Sequence, residues 1–442
     1  MNRFFAGLGC LAQLFIGEFA LGQPPQLTST AINESRGRTT ATAPNLLPWS
    51  CAALARLTDD GGALLTQWST GNRSVPIRSE DVRIGDPSLA YLDPEFDTDG
   101  TDSWMAFQDG DNQVWICGVD AATGELVPPD GHGWLIGTAT PLPAPGGVLG
   151  SLNGPEWGLS ADGLALYFLQ GDANRPLQVA RYRLRDRQLQ TLTATSTPVA
   201  YYCYPRREAQ DPVRSVLYGL YSAPSDEPIT AAWQYDDQPR RVNPIPLAIG
   251  GTSGAHWIPG ARAVGTNVSD VRGVVQIAWF DVVTDSTTLL TGGSIAKHDA
   301  YFFVPSEAPD RLWFTCILDT DRIGCYQPAQ EGWRLVRTIV PPFRVLPISG
   351  AANIVLAHPF QHGGKSFVAY SAKPDGGTYG IYVASLDGTV NARVSAYEGD
   401  VNHYDAEAVS LGDKLFIYYY TFQPGAIGEL HCCRVTIGTE PN

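Results

Sequence analysis

Positive charge is scarce in this sequence. Its 30 lysines and arginines stand against 45 aspartates and glutamates, a formal net charge of -15, and no basic run interrupts the deficit. Such a surface repels a phosphate backbone, so no nucleic acid is expected as a partner. Also missing is any stretch of about 18 uninterrupted apolar residues, so no membrane span is expected. Helical periodicity is absent throughout, and no phosphate loop, zinc-type cysteine spacing or Gly-x-Ser-x-Gly elbow occurs. What the chain has instead is punctuation, with 46 glycines and 33 prolines in 442 residues. That composition favours many short strands over long helices.

The amino end reads as a secretory signal over residues 1–22. Arg3 precedes the apolar stretch "FFAGLGCLAQLFIG", and Ala20 and Gly22 take the small-residue positions ahead of the cut. Residues 23–47, rich in Thr, Pro, Ser and Asn, are expected to be a disordered or surface-draped leader. Residues 48–442 then form one domain, secreted or periplasmic. In such an oxidising compartment cysteines pair. Cys316 and Cys325 are placed symmetrically about Thr320-Asp321 in "CILDTDRIGC". In a hairpin they would face each other and form a disulfide; two buried free thiols are the alternative. Cys432 and Cys433 should point to opposite faces of a strand, leaving one to bridge Cys51 or Cys117.

Internal repetition comes before any motif, because a missed repeat makes structural residues look catalytic. "NGPEWGLSADGLALYFLQ" (153–170) and "DPEFDTDGTDSWMAF" (93–107) share an order: proline, glutamate, aromatic, Asp-Gly turn, apolar strand. Weaker copies occur around Tyr204, His256, Tyr301, His358 and Glu407, and each copy is followed by further strand-like runs. Four antiparallel strands per unit, repeated at about 45 to 60 residues, describe a β-propeller blade. The expectation is an all-β, seven-bladed β-propeller of four-stranded antiparallel blades. Its ring is closed by an amino-terminal strand, "CAALARLTDDGG" at 51–62, acting as the outer strand of the last blade.

The blades resemble the TolB-like, or WD-repeat-like, propeller family. "GPEWGLSADGLALYF" carries "SADG" where that family has a "SPDG"-type turn; "DPEFDTDG" and "AHPFQHGGKSFVAYS" follow in closeness. The resemblance spans roughly residues 90 to 440 and is specific in three units. It implies the fold; propellers host binding proteins, peptidase-associated domains, lyases and glycosidases.

Aligning the units gives each motif an address, since the first strand of a propeller blade lines the central channel. That alignment places Glu95, Glu156, a Cys203/Tyr204 region, His256, Tyr301, His358 and Glu407 on the lining. Just upstream lie Asp93, His298, Asp299, His403 and Asp405. His256, His298, His358 and His403 are expected to converge at one side of the channel mouth with Asp299 and Asp405, as a ligand-binding group or a divalent metal site. Glu95, Glu156, Tyr301 and Glu407 are the catalytic candidates, as acid and base groups. Asp97, Asp99 and Asp102 resemble a short calcium loop but also occupy the ordinary blade turn. Polar residues lining a channel equally serve to hold water or cap neighbouring strands. The leading expectation is a binding scaffold for a carbohydrate, peptide or protein partner. The alternative is a carbohydrate-active enzyme, a polysaccharide lyase or glycosidase, using these His and Glu side chains with or without a metal.

Overall fold

In the computed structural model the description covers residues 77–438 apart from 140–153, 161, 172–177, 194–198, 207–214, 222–227, 236–244, 247–254, 343–352, 375–376, 398 and 424–427. It adds the backbone of two short strands, Leu54–Leu57 and Ala63–Thr66. The calls made on residues 1–47 and on Cys51 lie outside the described residues.

Every element among the described residues is a β-strand. The strands form antiparallel sheets in which consecutive strands neighbour one another, as in a propeller blade. The middle strands are apolar on both faces: Gly163–Gln170, "GLALYFLQ", and Lys414–Phe422, "KLFIYYYTF", are buried almost throughout. A strand covered on both faces needs such a run, because successive side chains point opposite ways. In Lys414–Phe422, Phe416 and Tyr418 accordingly pack with Phe96 and Met105, while Ile417 and Tyr419 pack with Ile381 and Val383. The sheets are thus glued face to face by apolar burial.

Each sheet begins with a strand at its inner edge: Leu92–Thr98, Glu156–Ser160, Val199–Pro205, His256–Trp257, Lys297–Phe303, Ile354–His362 and Asn402–Leu411. Each inner strand touches the next, and Asn402–Leu411 touches Leu92–Thr98, which closes the circle. The sequence expectation of seven blades of four strands each is corrected by the strand pairing. Five sheets have four strands, one has five and one has six. In the five-stranded sheet, Trp134–Thr138 pairs beside Leu126–Val127 on the strand Gln113–Val119.

Closure also differs from the expectation. The amino-terminal strand that completes the last sheet is Ile77–Ile84, "IRSEDVRI", which pairs with Leu430–Ile437 along its whole length. Leu54–Leu57 from the expected segment lies two strands further out, paired with Ala63–Thr66. At its start Ile77 and Ser79 are buried and Arg78 and Glu80 exposed, while Ile77 and Ile84 join two different apolar clusters. Ser79 donates its hydroxyl to Val394 of the neighbouring sheet at 2.7 Å. The Asp81 carboxylate accepts from the Ala396 amide and the Tyr419 hydroxyl, both at 2.6 Å, and meets His431 Nδ1 at 3.2 Å. One buried aspartate on the closing strand therefore ties two sheets together.

The expected Cys316–Cys325 disulfide is not formed, and both thiols are free and buried. The hairpin pairs Leu318 with Arg322, so Cys316 lies opposite Gly324 and Cys325 opposite Thr315. A one-residue offset puts two side chains on opposite faces of a sheet. Cys316 accordingly packs with Phe302 and Phe314, and Cys325 with Ile339 and Ile354. Cys432 and Cys433 do point to opposite faces, Cys432 near Cys117 and Cys433 beside Ile77, and all three are free.

Candidate functional site

Four of the inner strands share a local irregularity. Pairing slips between Leu92 and Glu95, His298 and Tyr301, Val355 and His358, and Tyr404 and Glu407. Within each slip one residue adopts a left-handed backbone: Asp93 (φ 51°), Asp299 (58°), Leu356 (53°) and Asp405 (59°). Aspartate tolerates this conformation better than most residues, because its short polar side chain can bond locally. The bulge then presents the residue two places on towards the channel. "DPE", "DAY" and "DAE" are one motif, in which a left-handed Asp is followed by a presented side chain.

The presented side chains meet one another from sheet to sheet. The Tyr204 ring lies 4.8 Å from His256, His256 lies 4.3 Å from Tyr301, and Tyr301 lies 4.5 Å from His358, centroid to centroid. His358 Nε2 is 2.8 Å from the Tyr301 hydroxyl, and its Nδ1 is 3.3 Å from Glu407 Oε1. Glu156 and Glu95 stand at the equivalent places of their strands, opposite Tyr167 and Ala106. The lining thus consists of carboxylates, phenols and imidazoles. Beneath it lie the bulge aspartates, with Asp93, Asp299 and Asp405 all buried.

This setting shifts the protonation of its members. Burial, with a smaller push from His358, holds the His256 imidazole down at about 3, so it is neutral near pH 7. Burial and then the surrounding carboxylates raise the Tyr204 and Tyr301 phenols well above the usual range. The Asp405 carboxyl is also raised well above its usual range, by burial first and then by Asp93 and Glu407. Ligand atoms of His358, Asp405 and Glu407 lie within 4.8 Å of one another, as do those of Asp93, Glu95 and Asp405.

Of the sequence candidates, His256, His358, Asp299, Asp405, Glu95, Glu156, Tyr301 and Glu407 stand on this lining or just beneath it. Two histidines stand elsewhere. His298 precedes the bulge, opposite Ile317, and its charged neighbour is Asp319, just past the end of the adjacent strand Trp313–Leu318. His403 is fully buried within its own sheet, stacked 4.8 Å from Tyr419. Tyr204, rather than Cys203, is the lining residue of its strand, since Cys203 packs with Ala165 and Tyr167 in the core. The Asp97, Asp99 and Asp102 group forms an exposed turn. Asp99 there accepts from the amides of Thr101 and Asp102 and from the Trp104 indole, and Asp97 accepts from Thr98. Those bonds account for the turn as a blade connection. Pro155 precedes Glu156 as Pro94 precedes Glu95, and before it Gly154 donates its amide to Asp93. A Cβ at Gly154 would lie 2.5 Å from that of Asp93, so glycine is required by close approach.

No protein-family profile matches the sequence, and no curated protein matches it either. Solved structures do resemble the fold. A protein of unknown function from Dyadobacter fermentans is 12% identical with a TM-score of 0.43, over 82% of this chain and 99% of that one. A prolyl endopeptidase is 13% identical with a TM-score of 0.45, over 80% of this chain and 51% of that one. A Trypanosoma rangeli sialidase variant with trans-sialidase activity is 12% identical with a TM-score of 0.39, over 80% and 58%. At such identities the likeness concerns strand arrangement alone.

Proposed function

We propose that this chain is an exported, TolB-like propeller whose channel mouth binds a polyhydroxylated ligand of carbohydrate type. The observation that carries the reading is the lining itself: Glu95, Glu156, Tyr204, His256, Tyr301, His358 and Glu407 occupy corresponding places on the inner strands, four of them (Glu95, Tyr301, His358 and Glu407) presented by a bulge, and none is apolar. Carboxylates accept from sugar hydroxyls, and phenol and imidazole rings offer flat faces to the apolar side of a pyranose. A glycan array probed with the purified protein tests it. Glu407→Gln and Tyr301→Phe should each weaken binding about 10- to 100-fold, the worth of one hydrogen bond to a charged or buried group. Unchanged binding in both variants would refute this site.

A second reading is favoured by one specific contact chain. Glu407, His358 and Tyr301 are linked in series, which would let His358 exchange a proton with the Tyr301 hydroxyl while Glu407 holds the imidazole. Such a relay would serve the acid and base chemistry of a carbohydrate-active enzyme. Release of new reducing ends from a polysaccharide panel, lost in Tyr301→Phe, would establish it in place of pure binding.

A further inference from the structure

We infer that Asp93 and Asp405 share a single proton across the junction of the first and last inner strands, and that this clasp positions Glu95 and Glu407 for ligand. Two copies of one motif meet there: "DPE" from Leu92–Thr98 and "DAE" from Asn402–Leu411. In each copy the aspartate is the left-handed bulge residue, at φ 51° and 59°, and is buried. The glutamate two places on is the lining residue. The two aspartate side chains are hydrogen-bonded to each other. Ionised carboxylates only accept, so a bond between two of them needs a proton on one. Asp93 also accepts from the Gly154 amide, just ahead of Glu156–Ser160. It therefore links its own strand to the one before and the one after it in the ring.

The surroundings keep the proton in place. Glu95, Glu156 and Glu407 face the pair from three inner strands, His358 from a fourth, and the Tyr420 phenol from the strand Lys414–Phe422. The Tyr204 and Tyr301 phenols and the Cys203 thiol feel the two aspartates from other inner strands. No lysine or arginine is among these groups, and His358 is engaged by Tyr301 and Glu407. A second negative charge on the pair would thus meet only burial and like charge, so the two carboxyls hold the proton as a unit.

Asp93 and Asp405 touch no ligand in this account. They are positioning residues, acting through the bulges that present Glu95 opposite Ala106 and Glu407 opposite Tyr418. The inference rests on the carbohydrate reading only for what the two glutamates hold; the proton itself is measured without any sugar. Because the folded pair binds a proton more tightly than the unfolded chain does, its contribution to stability is fully present below about pH 4. It is lost as pH rises, until the shared proton leaves.

The test compares the full chain with Asp405→Asn and Asp405→Gly, both tolerant of the left-handed backbone. Asparagine offers a permanent N–H donor in place of the shared proton; glycine offers none. The infrared difference between wild type and Asp405→Asn at pH 7 should show the carbonyl stretch of one protonated carboxylic acid. In urea, the unfolding constant of wild type relative to Asp405→Asn should rise about tenfold per pH unit between pH 5 and 7, the linkage of one extra proton bound by the folded protein. Absence of that infrared band, or parallel pH profiles for the two proteins, overturns the shared proton. On a glycan array Asp405→Asn should keep the wild-type signal within about twofold while Asp405→Gly loses about tenfold or more. Equal signals from the two variants overturn the positioning role. A folded wild type that binds no glycan sinks the carbohydrate reading and the ligand role of the clasp with it, while the infrared and urea measurements still decide the proton.

Discussion

Replacing Asp81 with alanine should loosen the ring at its closure. Asp81 lies on Ile77–Ile84, the strand joining the amino-terminal segment to the last sheet. Its carboxylate holds the Ala396 amide, the Tyr419 hydroxyl and His431, and its side chain is 8% exposed. Truncation leaves those groups buried without their acceptor, and breaking a buried, charge-assisted set of this kind costs about 3–5 kcal/mol. Burial alone would raise the Asp81 carboxyl; the bonds from His431, Tyr419 and Ala396 outweigh it and hold the group below its usual value. A folded-state value below the unfolded one contributes stability that is present above about pH 4 and lost as pH falls through the folded value. Urea unfolding followed by tryptophan fluorescence should therefore show the full gap between wild type and Asp81→Ala at pH 6, narrowing below about pH 4. A gap under about 0.5 kcal/mol, the scale of ordinary surface substitutions, would refute the closure argument. So would a gap that widens as the solution is acidified.

Other consequences can be checked separately. Leu356 occupies the bulge position that carries aspartate in three other inner strands, so Leu356→Gly should relieve about 1–2 kcal/mol of left-handed strain against a similar loss of burial. Its denaturation midpoint should stay near the wild-type value; a loss above about 3 kcal/mol would contradict the strain assignment. Gly154→Ala should cost about 1–3 kcal/mol, because the new methyl meets Asp93, and a neutral result in thermal unfolding would show that the backbone has room. Cys316 and Cys325 should both take up an alkylating label in denaturant without reductant, and a peptide map lacking either label would restore the bridge. In the folded state both should resist labelling at pH 8, since burial raises both thiols, Cys325 to about 12.

Much of the lining was legible because a propeller converts sequence period into position. Once "GPEW" and "DPEF" are aligned, Glu156 and Glu95 fall at one level, and Tyr301, His358 and Glu407 follow. The misplacements arise where one residue of register matters. His298 and His403 lie before the slip in their strands, and the slip hands the channel position to Tyr301 and Glu407. The signal was present in the recurring Asp-x-Glu and Asp-x-Tyr triplets, whose aspartate marks the left-handed residue. The cysteine hairpin failed for the same reason: its turn centres on Thr320, not between Thr320 and Asp321. Ring closure was harder, because Ile77–Ile84 carries four charged residues, and its fit depends on Asp81 meeting groups about 315 to 350 positions away in the chain.

The central claim is that the polar lining of the inner strands is where this protein meets its ligand. Its most direct measurement is a glycan array on wild type, Tyr301→Phe, Glu407→Gln and the turn variant Asp99→Asn, with folding verified by near-ultraviolet circular dichroism. The account predicts a selective glycan signal in wild type and Asp99→Asn that falls about 10-fold or more in the two lining variants. Equal signals in all four folded proteins, or none in any, would contradict it.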